Sequence, residues 1–431
     1  MRHITPLNAR SVLLPLICSS LLVACGGGGS GNMASNPGGG SGGTGATATP
    51  PAVTQAQQAG TPVDPALISA DNAFGLNLLN TLLVGNTGNV AISPTSLNMV
   101  LQILYNGAAG STAQAMGQTL QLQNLSLSTL NSDNAALEAS LLNPDPDVQV
   151  TLANSLWMHL SNTPVLPSFT QLNETYYGAQ IGDLAGAPAN VNAWVASVTN
   201  GLITNILPPA NYSTVVAVIA NAVYFKGAWS TAFDPSLTAP APFTQGDGTQ
   251  STVQMMYQTG TFPTYTGSNY QVVRIPYGQT QHLSMWIVLP SIGVNLNGFV
   301  GSLTPSMFDS WASQLQGTYI NLGLPRFSTK FSASLTSPLS TLGMGVAFSM
   351  QADFAALAPN IYVSDVEHQT VVQVDENGTV AAGATTGTTS PTAVGLAPAP
   401  LLINHPFFYA IRDDQTGALL FIGTMVDPVS G

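Results

Sequence analysis

Apolar residues recur with helical spacing in three segments of the chain. The first is PALISADNAFGLNLLNTLL (65–83), and the second follows Ser93, which suits an N-cap, and Pro94, which suits a first helical turn. The third is NVNAWVASVTNGLITNIL (190–207). The apolar faces of the second and third segments carry Leu97, Val100, Leu101, Leu104, Val191, Trp194, Val195 and Val198. These patterns predict three amphipathic helices.

Continuous apolar runs predict strands. TVVAVIANAVYF (214–225) and LSMWIVLP (283–290) are short and rich in β-branched or aromatic residues, which is typical of strands in the middle of a sheet. Two further strands, 407–411 and 419–425, flank turn residues at 413–417 and predict a terminal hairpin. The sequence shows no internal repeat, so the pattern predicts one α+β domain from Val63 onward.

One long segment fits neither pattern. Its sequence is DENGTVAAGATTGTTSPTAVGLAPAPLLINHPFF (375–408), and no charged residue occurs between Glu376 and Arg412. Connections of this length are uncommon inside compact domains and are usually either functional or disordered. The segment therefore predicts a functional loop, with a flexible Gly/Ala/Thr linker as the alternative.

The composition excludes several classes of partner. Charged residues make up only 6% of the 431 residues, against roughly 25% in ordinary soluble proteins, and the hydrophobic fraction of 45% is ample for a large core. The net charge is -12 and the sequence pI is about 4.4. We therefore expect no binding to nucleic acids, to anionic membrane surfaces or to sulfated glycosaminoglycans, because each of these needs clustered Lys and Arg.

Residues 1–24 have the pattern of an export signal. Arg2 and Arg10 precede SVLLPLICSSLLVA, an apolar stretch too short to span a bilayer. The stretch leads into LVAC, ending at Cys25, which resembles a bacterial lipobox, where the signal is removed before the cysteine and the cysteine is acylated. An ordinary signal peptide is the alternative, but the only other cysteine, Cys18, lies inside the signal and favours lipidation of Cys25. Gly26 favours the outer membrane if the cell is Gram-negative.

Residues 25–62 predict a tether. This run of Gly, Ser, Thr, Ala and Pro cannot bury enough apolar surface to offset its chain entropy. Within it, residues 39–43 match the G-x-S-x-G pattern of hydrolase nucleophiles, but that motif needs a strand before it and a helix after it. We therefore reject Ser41 as a nucleophile, and the sequence has no other recognisable Ser, His and acid arrangement of a hydrolase.

Six stretches in one order resemble the serpin family. They are NVAISPTSL (89–97), ANAVYFKGAW (220–229), VQMMYQ (253–258), LPRF (324–327), VEHQTVVQVDENGTVAAGAT (366–385) and LLINHPFFYAIR (401–412). The last matches the C-terminal signature of the family, and the spacing from His368 to Glu376 also fits. The resemblance implies the serpin fold for residues 63–431. That fold is α+β, with a large, mostly antiparallel central sheet, further sheets, about eight or nine helices and an exposed reactive centre loop at about 377–400.

The resemblance implies a protease inhibitor without catalytic residues or a cofactor. In serpins a protease cleaves the loop and forms an acyl-enzyme, and the N-terminal part of the loop then inserts into the central sheet and distorts the tethered protease. An inserted strand buries alternate side chains, so one set must be small and uncharged. Thr379, Ala381, Gly383, Thr385, Gly387 and Thr389 meet this requirement.

Other site residues are also implied by the resemblance. The hinge of the loop comprises Glu376, Gly378, Thr379, Ala381, Ala382, Gly383 and Ala384. We expect Thr379 to lie at the exposed base of the loop in the native state. Ser93, Ser96, Asn221 and His368 match the shutter, a buried polar cluster that holds the sheet closed. Trp229 matches the tryptophan where the loop enters the sheet, and Glu376 is expected to pair with Arg326.

The loop sequence predicts the type of target. Counting from Glu376 as in the family places Thr392 before the cleaved bond and Ala393 after it, while Ala393–Val394 and Val394–Gly395 remain alternatives. Each choice presents a small or β-branched residue, which suits an elastase-like serine protease. Cleavage after Leu396 by a chymotrypsin-like enzyme is a weaker option. The loop has no Arg or Lys for a trypsin-like enzyme.

Two functions remain open at this point. The first is a suicide inhibitor of elastase-like serine proteases, and the second is a non-inhibitory surface binding protein with a serpin fold. We expect a monomer that contacts the membrane only through its lipid and is exported to the cell envelope. We expect no metal, because His3, His159, His282 and His405 lack ligand spacing.

Overall fold

The computed structural model describes residues 62–122, 125–142, 144–379 and 398–430. Nine α-helices lie within these ranges: α1 (Pro65–Leu83), α2 (Pro94–Tyr105), α3 (Gly110–Thr119), α4 (Leu127–Leu141), α5 (Pro167–Tyr177), α6 (Ala189–Val198), α7 (Leu296–Val300), α8 (Pro305–Gln314) and α9 (Thr336–Leu339). Shorter turns of 3₁₀ or π type occupy Pro235–Leu237, Ser340–Met344 and Gly345–Phe348.

The first two predicted helices are confirmed and the third is shorter than predicted. Helix α1 has the predicted bounds, and α2 begins after Ser93, whose Oγ accepts the N–H of Ser96 at 3.4 Å. Helix α6 ends at Val198 instead of residue 207. The reason is local, because Asn200 and Gly201 adopt left-handed φ angles of 51° and 77°, which stop a helix.

The central sheet has six strands. Its order is β10 (Phe327–Ser334), β11 (Asp365–Asp375), β12 (Gly378–Thr379), β4 (Ala217–Ala228), β2 (Val148–Met158) and β3 (Gln180–Asp183). Strands β11 and β4 also pair directly and in parallel from Asp365↔Val218 to Thr370↔Val223. Beyond that point they separate, and the two residues of β12 lie between them, antiparallel to both.

The second sheet has nine strands. Its order is β1 (Val90–Ile92), β15 (Leu419–Met425), β14 (Phe407–Asp413), β8 (Leu283–Pro290), β7 (Tyr270–Pro276), β6 (Gln250–Thr266), β9 (Gln316–Pro325) and β13 (Ala399–Leu402), with β5 (Ala239–Thr244) paired to β6. The predicted terminal hairpin is β14 with β15. All residues of β8, β14 and β15 are buried, as expected for central strands.

The architecture confirms the predicted fold class. Both sheets are mostly antiparallel, and parallel pairs occur only at β11–β4, β2–β3 and β13–β9 among the described strands. Within the described ranges, no helix combines the length and apolar character that crossing a bilayer requires. The feature with functional consequence is the point where β11 and β4 part.

Candidate functional site at the parting of the central sheet

The chain turns back on itself directly after β11 and enters the gap between β11 and β4. Asp375 Oδ1 accepts the N–H of Asn377 at 2.8 Å and closes this turn. Gly378 then pairs with both Asp375 and Ala228. Its φ of 149° suits only glycine, and a Cβ there would collide with the carbonyl oxygen of Gly227. Glycine at position 378 therefore allows the chain to enter between the two strands.

An ion pair fixes the base of this turn. Arg326 Nε lies 2.8 Å from both carboxylate oxygens of Glu376, and Arg326 Nη2 lies 2.7 Å from Oε1. The hydroxyl of Thr238 also donates to Oε1. Burial raises the pKa of Glu376, but the hydrogen bonds from Arg326 and Thr238 outweigh it, so the pKa is lowered overall. The structure thus brings together the two residues that the sequence analysis paired.

Trp229 holds the backbone of the same turn. Its indole N–H donates to the carbonyl of Asp375 and its backbone N–H to the carbonyl of Asn377, each at 2.9 Å. The backbone N–H of Phe233 donates to the carbonyl of Glu376 at 2.9 Å. Three successive carbonyls therefore have partners from the segment after β4, which defines where the hinge begins.

The expected exposure of Thr379 is wrong. Its side chain is fully buried in the native structure, and its Oγ1 lies 2.6 Å from the hydroxyl of Tyr277. The physical reason is that β12 already occupies the gap, with Thr379 paired to Val374 and Gly227. Thr379, the first hinge residue whose side chain faces the interior, is therefore buried between the two strands before any cleavage.

The four predicted shutter residues form one buried cluster below the gap. His368 Nδ1 lies 2.8 Å from Asn221 Oδ1, and His368 Nε2 accepts the backbone N–H of Ser93 at 3.3 Å. Asn221 Nδ2 donates to Ser96 Oγ at 2.6 Å. His368 and Asn221 are direct neighbours in the β11–β4 register, so this cluster joins the two strands and ties both to α2.

Burial sets the protonation of the shutter histidine. The ring of His368 has no exposed surface, and burial lowers its pKa to about 3. Because Nε2 accepts a hydrogen bond from Ser93, Nδ1 carries the proton and donates to Asn221. Protonation would place two N–H donors face to face and leave a buried charge. The shutter is therefore built for a neutral histidine.

Three residues that contact the site were not predicted from the sequence. Tyr277 contacts Thr379, Thr238 contacts Glu376, and Asn154 Oδ1 accepts the other Asn221 Nδ2 hydrogen bond at 2.8 Å. Asn154, in β2, is a polar residue in a run of otherwise mostly apolar buried positions. This polarity could have indicated a buried hydrogen bond, because buried polar groups usually have partners. Thr238 and Tyr277 gave no comparable signal.

Some predicted residues lie outside the described part of the chain. They are Ala381, Ala382, Gly383, Ala384, Thr392, Ala393 and Cys25. Among the residues that the structure describes, no three His, Cys, Asp or Glu side chains lie together as metal ligands would.

Comparison with known proteins supports one assignment. The family model described as "Serpin (serine protease inhibitor)" matches residues 69–428. An uncharacterized serpin-like protein of Thermococcus kodakarensis is 32% identical over 381 residues, which are 85% of this chain and 86% of that protein. The leukocyte elastase inhibitor of Bos taurus is 31% identical over 380 residues, 84% and 99% of the two chains. The native crystal structure of tengpin, a thermophilic serpin, has a TM-score of 0.79 at 28% identity, covering 85% of this chain and 95% of tengpin.

The region matched by the family model contains the two sheets, the parting of β11 and β4, and the cluster below it. The fold, the turn after β11 and the sequence similarity over most of the domain all indicate the same family. The chain belongs to the serpin family.

Proposed function

We propose that this protein is a suicide inhibitor of serine proteases that acts by inserting its cleaved loop between β11 and β4. The observation that carries the proposal is the position of β12, which already pairs with both strands at the point where they part. On the β4 side, Val371–Gln373 pair with no strand among the described residues. An unpaired strand edge favours the addition of another strand.

The register supports this insertion route. Continuing the antiparallel pairing of β12 would bring Ala381 opposite Val372 and Phe225, and Thr385 opposite His368 and Asn221. The strands β11 and β4 pair directly in this same alignment, since His368 already faces Asn221. One register therefore satisfies both neighbours along the whole path, without a bulge. Insertion would separate the shutter pair and place a threonine between its members.

The side chains along this route suit burial. Thr379 faces the interior in the native structure, so positions 381, 383 and 385 would face the interior after insertion. They are Ala, Gly and Thr, which add neither charge nor large volume. Insertion would add a fully paired strand to the central sheet and so lower the free energy of the protein. The native state cannot reach this lower free energy until the loop is cut.

We propose Thr392–Ala393 as the cleaved bond and an elastase-like enzyme as the target. The leukocyte elastase inhibitor among the relatives supports the class of target, and the uncharged loop supports a small side chain in the specificity pocket. The test is incubation with an elastase-type protease, a denaturing gel, and the mass of the released C-terminal peptide. A complex that survives denaturation supports inhibition, whereas cleavage without a complex favours a non-inhibitory binding protein.

Thr392→Arg is expected to create inhibition of trypsin and to weaken inhibition of elastase by about tenfold or more, because the residue before the cleaved bond fills the specificity pocket. The measurement is the association rate with each enzyme, with Ser390→Arg as a matched control two positions away. If only changes at Ala393 or Val394 alter the specificity, the bond lies one or two residues further along.

We also propose that Cys25 carries a lipid that anchors the protein to the cell envelope. The lipobox pattern at residues 22–25 and the tether at 25–62 support this proposal. Cys25→Ser is expected to move most of the protein from the membrane to the soluble fraction while leaving inhibition unchanged. Cys18→Ser is the control, and equal membrane fractions for wild type and Cys25→Ser would contradict the proposal.

A further inference from the structure

Tyr277 lies directly behind the hinge, although it follows β7 in the other sheet. Its side chain is fully buried, and its hydroxyl lies 2.6 Å from Thr379 Oγ1. Burial raises the pKa of this phenol, so the hydroxyl keeps its proton. The hydroxyl therefore remains a hydrogen-bonding partner for Thr379 throughout the ordinary pH range.

The ring of Tyr277 is held in place by its neighbours. It stacks on Trp229 with ring centroids 4.5 Å apart and an interplanar angle of 10°, and it meets Phe225 edge to face at 5.0 Å. It also packs against the bare backbone of Gly227, where an added Cβ would lie 3.0 Å from the ring. Trp229 in turn bonds the carbonyls of Asp375 and Asn377. The hydroxyl of Tyr277 is thus aimed from a rigid support.

We propose that Tyr277 is a positioning residue for loop insertion, which holds Thr379 between β11 and β4 so that insertion continues from a strand that has already started. The inference rests on the proposed inhibitory function. The hydrogen bond favours every state in which Thr379 lies between the strands over states in which the hinge is expelled. A contact that is made in only one of two states shifts their populations by the free energy that the contact contributes to that state. Loss of the bond should therefore increase the expelled population.

The test compares Tyr277→Phe with wild type in two measurements on the intact protein. The first is hydrogen exchange at the backbone N–H of Thr379, which reports hinge opening without any protease. A single buried hydrogen bond between neutral groups corresponds to about a two- to tenfold change in such an equilibrium, so protection should fall by that factor. The second is the ratio of captured to cleaved inhibitor, which should fall by up to the same factor.

The chain offers a matched control. Tyr409 is a fully buried tyrosine in β14 that packs against Phe327 and Phe407, and its hydroxyl makes no hydrogen bond within the residues that the structure describes. Tyr409→Phe removes the same atom from the core without touching the hinge. It should leave both the exchange at Thr379 and the capture ratio unchanged.

A double-mutant cycle identifies the bond itself. Thr379→Val removes the other hydroxyl at nearly constant shape, and it should reduce protection by a similar factor. The double variant should be no worse than either single variant, because both partners are then apolar. Additive losses, or unchanged protection in Tyr277→Phe, would overturn the inference. If protection falls as expected but wild type captures no protease, the inhibitory function fails while the hinge contact stands.

Discussion

Replacing Thr379 by arginine is expected to abolish covalent capture of the protease and also to lower the stability of the native protein. In the native structure Thr379 is already buried between β11 and β4, beside the hydroxyl of Tyr277. Among the described residues, no carboxylate is hydrogen-bonded to either of these two hydroxyls, so none is in place to pair with a guanidinium. The variant must therefore bury an unpaired charge or expel the hinge.

Expulsion of the hinge is the expected response. Burial of an unpaired guanidinium costs several kcal/mol even after relaxation, which exceeds the free energy of two paired residues and one hydrogen bond. The native state should lose β12 and the contact with Tyr277, at a cost of about 1–3 kcal/mol. The Glu376–Arg326 pair lies outside the gap and should remain.

Capture then fails for a kinetic reason. Insertion competes with hydrolysis of the acyl-enzyme, and each 1.4 kcal/mol added to the insertion barrier slows it about tenfold. A cost of several kcal/mol at the first interior position should therefore reduce capture by about a hundredfold or more. The protein would be cleaved and released as a substrate.

The experiment measures captured and cleaved fractions on a denaturing gel together with the melting temperature. Thr379→Ser is the matched control, since it keeps the hydroxyl that contacts Tyr277 and adds no charge. Capture by the Arg variant in a one-to-one ratio would show that insertion does not pass through position 379. A normal melting temperature would show that the burial of Thr379 contributes nothing to the native state.

Contacts for which the family resemblance supplied both partners were predictable from the sequence, whereas the contact of the hinge with the other sheet was not. Arg326 could be assigned to Glu376 because both lie in stretches that resemble the serpin family, and the small number of basic residues, five once Arg2 and Arg10 are set aside, leaves few other partners. The burial of Thr379 could not be predicted, because it requires β12 to enter between two strands that are distant in sequence. Its partner Tyr277 lies 102 residues away in sequence, directly after strand β7 of the other sheet.

The end of α6 shows the same limit at short range. Apolar spacing continues past Val198, through Leu202 and Leu207, and it predicts a longer helix. The left-handed conformation at Asn200 and Gly201 stops the helix, and the later apolar residues pack instead as a buried connection over the sheet, with Ile203, Ile206 and Leu207 all buried. Periodicity alone does not separate these two outcomes.

Acid is expected to weaken the shutter through His368. The pKa of this buried ring is lowered from 6.5 in the unfolded chain to about 3 in the folded protein. A lowered pKa means that the contribution to stability is fully present above pH 6.5 and is lost as the pH falls toward 3. The loss amounts to about 1.4 kcal/mol per pH unit in this window, and so to several kcal/mol in total.

Carboxyl groups whose pKa values are raised by burial act in the opposite direction and must be separated from the histidine, and Glu138 and Glu367 are two of them. Burial raises the pKa of Glu138 to about 7, and burial together with Asp365 raises the pKa of Glu367 to about 7. Their contribution is present below pH 4.5 and is lost as the pH rises through 7. The stability of wild type alone can therefore rise as the pH falls from 7 to 4.5 even when His368 titrates as expected, because the two carboxyl groups together outweigh one histidine in this window.

A comparison of variants isolates the histidine. His368→Gln keeps one donor and one acceptor near Asn221 and Ser93 but does not titrate, so it should be less stable than wild type at pH 7.5. The difference in the free energy of unfolding should shrink by about 1.4 kcal/mol per pH unit below pH 6.5, because only wild type pays to keep the ring neutral. His368→Asn, which also places a side chain that does not titrate at this position, should show the same trend. A difference between wild type and His368→Gln that stays constant from pH 7.5 to 4.5 would mean that the ring is not held neutral in the folded state. The hydrogen bonds to Ser93 and Asn221 would then not account for the closed sheet.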